Sequence, residues 1–111
     1  MKKFLVLYLA PVSAAEQMAK ATPEQAKAGM DAWLAWAKRA GSAVVDLGSP
    51  VGGGASLSKG KSGAGTTQVG GYSMLQANSM HEITALLAEH PHLSQPGFSI
   101  EALEMLALPG M

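Results

Sequence analysis

The sequence predicts an α+β domain of order β-α-β-β-α-β: a four-stranded antiparallel sheet with two helices on one face. Three observations carry this. Thr22-Pro23-Glu24-Gln25 and Ser79-Met80-His81-Glu82 are helix-start signals. Each helix signal lies between apolar, strand-forming runs. The spacing suits two βαβ-type units with right-handed crossovers.

The run Lys3 to Leu9 is apolar at successive positions, as in a strand buried on both faces. Its competing reading is a secretory leader, with Met1-Lys2-Lys3 as the charged start and cleavage near Ala15. Val6 and Tyr8 are strand formers and the run is short for a leader core, so a strand in a cytoplasmic protein is expected. The run is also too short to span a bilayer, and no membrane association is expected.

Residues 11–21 are rich in alanine and suit a short helical turn. Thr22 then caps a helix with Pro23 at its first position and Gln25 completing a capping box. That helix runs to Ala40 and stops at Gly41. Ala26, Met30, Trp33, Ala37 and Ala40 share its inward face, flanked by Leu34 and Trp36. Lys27, Asp31 and Lys38 lie on the other side. Ala43 to Leu47 reads as a second strand, and Gly48 to Thr67 as a long, flexible, glycine-rich loop. A third strand runs from about Tyr72 to Ala77. Ser79 opens the second helix, which must end before Pro91. Phe98 to Leu106 forms the last strand.

Residues 1–111 are expected to form a single domain. Apolar residues make up 48% and charged residues 14% of the chain, which excludes intrinsic disorder. Eight basic and eight acidic residues give zero formal net charge, so no nucleic-acid partner is expected. Cysteine is absent, which removes disulfide and thiolate chemistry. Helices on one face leave the other face of an apolar sheet uncovered, and a homodimer is the expected solution.

No complete catalytic motif occurs. Ala55-Ser56-Leu57-Ser58-Lys59-Gly60-Lys61-Ser62 approaches a phosphate-binding loop, but Gly63-Ala64-Gly65-Thr66-Thr67 after it does not readily start a helix. The His90-Pro91-His92 stop is the more informative segment. Ile83, Leu86, Leu87 and His90 fall on one helical face, so His90 is expected to face the sheet from the last turn. It is a weak candidate for acid–base chemistry or ligand contact. The bland reading is a half-buried histidine bonded to a backbone carbonyl. His92 follows in the turn. The two histidines lack a third ligand, and His81 lies opposite His90, so neither metal nor cofactor is expected. Trp36 is placed at a pocket mouth, and the Tyr72 hydroxyl is a plausible ligand contact. Asp31 and Asp46 are the candidate carboxylate partners for histidine, although a solvated pair of Asp31 with Lys27 is favoured.

Four segments carry a family resemblance: Gly70-Gly71-Tyr72 entering a strand, Ser79-Met80-His81-Glu82 opening a helix, His90-Pro91-His92 closing it, and Gly97-Phe98-Ser99-Ile100-Glu101 starting the last strand. This pattern resembles the YCII-related family, including its DGPF-type branch. The resemblance implies a ferredoxin-like fold that dimerises as an α+β barrel, in cytoplasmic bacterial proteins mostly of unassigned function. Some members are enzymes built on a His–Asp pair, among them a dehydrochlorinase of chloroaromatic breakdown. In that pattern the histidine stands on the first helix and the aspartate precedes a proline after the second. Here Met30 and Asp31 occupy the first position and His90 the second, and the DGPF signature is missing. The family's catalytic residues therefore do not carry over. A swapped pair of Asp31 and His90 is the remaining weak catalytic candidate.

The expectation is a homodimer with a small-molecule pocket between sheet and helices, bordered by His90, His92, Tyr72 and Trp36. The alternative is a dimeric interaction or structural module without chemistry.

Overall fold

The computed structural model describes residues 1–110; Met111, the last position of the expected domain, lies outside the described residues. Six strands and three helices follow one another. They are β1 (Lys2–Leu9), α1 (Ala14–Lys20), α2 (Pro23–Ala40), β2 (Val44–Pro50), β3 (Ala55–Ser58), β4 (Lys61–Ala64), β5 (Val69–Ala77), α3 (Met80–Leu87) and β6 (Ser99–Glu104). Four strands form one sheet in the order β2-β5-β1-β6, and every neighbour in it is antiparallel. β3 and β4 form a separate hairpin.

Alternation along β1 divides its apolar run. Phe4, Val6 and Tyr8 point into the core and are at most 2% exposed. Leu5, Leu7 and Leu9 point the other way and are half-buried. The run read as an alternative leader is thus the strand that β5 and β6 flank on either side. Across the core face, Trp36 of α2 and Ile83 and Leu87 of α3 pack on Phe4, Val6, Tyr8 and Leu75. No helix carries a window long and apolar enough to cross a membrane among the described residues.

The helix starts follow the sequence signals. Thr22 Oγ1 accepts from Gln25 N at 3.1 Å while Gln25 Oε1 accepts from Thr22 N at 3.0 Å, a complete capping box. At Ser79 only half of the expected box forms. Its Oγ accepts from Glu82 N, but the Glu82 carboxylate reaches one residue further, to Asn78 N. Two expectations need correction. Residues 14–20 form a full helix capped by Ser13 rather than a single turn. The loop expected over residues 48–67 contains the β3–β4 hairpin, turned at Lys59-Gly60, with Gly60 at φ +76°. The phosphate-loop look-alike is that hairpin: Lys61 begins a strand where a phosphate site needs a helix.

Candidate functional site

A cavity of about 350 Å³ opens where α1 and the first half of α2 stand off from the sheet. Ala26, Gly29, Met30 and Trp33 of α2 face it, opposite Tyr8 and Gly71 of the sheet and Leu47 to Pro50 of β2. The helix face predicted to lie inward is therefore inward, but only its second half reaches packed core. Met30 is 58% exposed, whereas Trp36 is 2% exposed. Gly71 keeps the floor low, since a Cβ there would lie 3.3 Å from Ser49 O and 3.6 Å from the Tyr8 ring.

Polar groups on this floor are spent on one another. The Tyr8 hydroxyl donates to Ser73 Oγ at 2.8 Å, and Ser73 donates to the Leu47 carbonyl at 2.6 Å. Burial raises the Tyr8 pKa, against a smaller lowering by Ser73. Tyr8 thus presents its ring to the cavity and keeps its proton.

His92 also lines the cavity. It sits on the 3₁₀ turn Pro91–Ser94, with its ring 5.4 Å from Tyr8 and 5.1 Å from Phe98. Nε2 lies 2.9 Å from the Leu9 carbonyl. A carbonyl only accepts, so in the neutral ring the proton is on Nε2 and Nδ1 is an acceptor.

His90 stands behind this wall. It is 2% exposed, with ring centroids of Trp33 and Trp36 each 4.4 Å away and Tyr8 at 5.0 Å. Its helical spacing predicts the last turn of a helix, and the bland reading bonds it to a backbone carbonyl. Instead α3 ends at Leu87, and His90 is extended at φ −68°, ψ 136°, because Pro91 disfavours helical geometry before it. Its Nδ1 accepts from His92 N at 3.0 Å. The proton therefore sits on Nε2, the single buried side-chain polar atom without a partner among the described residues. Burial, then the nearby His92, lowers the His90 pKa to about 4.

Four more candidate residues have definite places in the structure. Trp36 is a core residue and does not line the cavity; its Nε1–H donates to the Leu86 carbonyl at 3.1 Å. Trp33, read only as packing, takes the place at the wall. Tyr72 contributes to the wall, but it pairs with Leu7 in register, so strand alternation sends its ring to the sheet face away from the core. Asp31 bonds Lys27 Nζ at 3.0 Å on the exposed side of α2 and does not pair with His90. Asp46 closes a local turn by accepting from Gly48 N at 2.9 Å. One nitrogen of each imidazole is committed within the protein, His90 Nδ1 to the His92 amide and His92 Nε2 to the Leu9 carbonyl. No group of three or more metal-ligating side chains comes together among the described residues.

Sequence reasoning missed Gly29, Gly71 and Trp33 as cavity residues. Trp33 was on the correct helical face; the sequence lacked any sign that this half of the face stands off the sheet. Comparison with protein-family models and with curated proteins gives no match.

Proposed function

We propose that this chain is a homodimeric, small-molecule-binding domain of the YCII-related type, working in the cytoplasm without a resident cofactor. The cavity carries the binding reading: a concave, mainly apolar space with an aromatic floor and a few placed polar groups is what small ligands select. Its most direct polar feature is His92. His90 supports that wall from behind by accepting the His92 amide proton.

The family reading rests on sequence segments that fall on matching elements: residues 70–72 in β5, 79–82 opening α3, and 99–101 in β6. The main sheet, numbered by its four long strands, runs second, third, first, fourth. That order supports the ferredoxin-like, split βαβ arrangement. The dimer reading rests on the half-buried apolar face carrying Leu5, Leu7 and Leu9. The same face favours the rival reading, a dimeric interaction module without chemistry. No reaction is assigned, because neither His90 nor Asp31 reaches the cavity wall.

Gly29 allows a direct test. It lines the cavity from the middle of α2, and a Cβ there meets nothing within 4 Å. Gly29→Leu therefore puts a branched side chain into the cavity, obstructing it, and adds helix propensity worth roughly 0.8 kcal/mol. A metabolite library is screened by thermal shift on the wild type and this variant. A true ligand at about 100 times its Kd adds roughly 2.7 kcal/mol, a shift on the order of 10 °C, and loses it in Gly29→Leu. If no compound stabilises the wild type selectively, the rival module stands.

A further inference from the structure

The cavity's chemistry narrows what it takes. No Asp, Glu, Lys or Arg contributes to its wall among the described residues. A charged ligand would give up its hydration without a counter-charge, at a cost of several kcal/mol. Several polar groups at the cavity are also spoken for, while Gln17 Oε1 and Gln25 Nε2 make no hydrogen bond within the protein among the described residues. Tyr8 and Ser73 donate along the chain to Leu47 O, and Ser49 donates to Pro50 O. Gln17 Nε2 is held by Val12 O, and Gln25 Oε1 by the Thr22 amide. For His92, Leu9 O fixes the proton on Nε2, and Nδ1 makes no hydrogen bond within the protein among the described residues. The His92 ring that carries this acceptor lies beside Tyr8 and Trp33, with ring centroids at 5.4 and 6.4 Å. Flat aromatic walls favour a flat apolar body.

We propose that the cavity takes an uncharged, flat, apolar molecule with one hydrogen-bond donor, and that the donor pairs with His92 Nδ1. This rests on the small-molecule reading of the cavity and adds its ligand class. His92 is the specificity residue, since an analogue lacking the donor leaves a desolvated acceptor unpaired.

Three matched probes test it by calorimetry at pH 8, where free imidazole is neutral: naphthylmethanol, its methyl ether, and naphthoate. The alcohol is expected to bind the wild type about tenfold more tightly than the ether, with naphthoate weaker still. Gly29→Leu abolishes binding of all three. His92→Phe keeps a ring but removes the acceptor, so alcohol and ether bind alike. His92→Asn places an amide oxygen near the position of Nδ1 and restores part of the preference. Equal binding of alcohol and ether to the wild type, both lost in Gly29→Leu, overturns the His92 pairing while the cavity reading survives. Naphthoate binding most tightly overturns the uncharged class. If no probe binds, the ligand class fails, and a library compound blocked by Gly29→Leu would still uphold the cavity. Should His92→Phe fold poorly, the wild-type ranking of the three probes decides alone.

Discussion

His90 is a base held neutral inside an aromatic cage, so acid should act on the fold through it. Its folded pKa is about 4, below the ordinary value of about 6.5 for an unfolded histidine. Between those values the unfolded chain binds the proton and the folded chain does not. Stability from this group is therefore complete above about pH 6.5 and is lost as pH falls toward 4. The shift corresponds to roughly 3 kcal/mol. Protonation at Nδ1 would also cost the bond from His92 N. Urea unfolding of wild type and His90→Phe at stepped pH tests this. Carboxylates titrate in both, so the difference between them should carry the acid-side loss; parallel curves would refute it. The inward direction of His90 was legible from its spacing to Ile83 and Leu87. Its partner was not, because Pro91 moved it off the helix and turned its acceptor to the His92 amide.

At the scale of elements, local signals were read well and long-range ones poorly. The Thr22 box needs only residues within one turn, and both of its bonds form. Gly48 shows the opposite case. β2 slips in register between Asp46 and Ser49 against β5, and Gly48 takes φ +84° there. A Cβ at this position would fall 1.6 Å from the Tyr72 carbonyl oxygen. Both the backbone conformation and the crossing strand demand glycine. Gly48→Ala should cost on the order of 3 kcal/mol or more, or prevent folding. Chemical denaturation measures it, and a loss under about 1 kcal/mol would show that β2 can shift away. In the sequence this glycine was one of many in a run read as loop. What distinguishes it is β5 passing beside it, more than twenty residues later. The β3–β4 hairpin escaped for a related reason: its positions are exposed throughout, so no apolar alternation marked it.

For the whole molecule, the deciding surface is the sheet face away from α2 and α3. Leu5, Leu7, Leu9 and Met74 lie there half-buried, with no helix packed over them among the described residues, and Leu103 is 49% exposed. The continuous apolar run of β1 already implied two apolar faces, and only one of them meets helices. Strands about 4.8 Å apart and roughly 20–25 Å long give this face on the order of 500 Å². A standard interface buries about 800 Å² per partner. Leu57 on the hairpin and Met105, Leu106 and Leu108 beyond β6 are exposed as well. Leu7 is the best probe, since it pairs with Tyr72 on one side and Glu101 on the other, at the middle of the face. A lysine there can reach Glu101 or water in a single chain, whereas sheet-to-sheet packing would bury its charge. Leu7→Lys should leave the circular dichroism spectrum unchanged and convert a species of twice the chain mass into one of single mass in sedimentation analysis. A wild type that already sediments at single mass would refute the dimer and leave the cavity as this chain's principal binding surface.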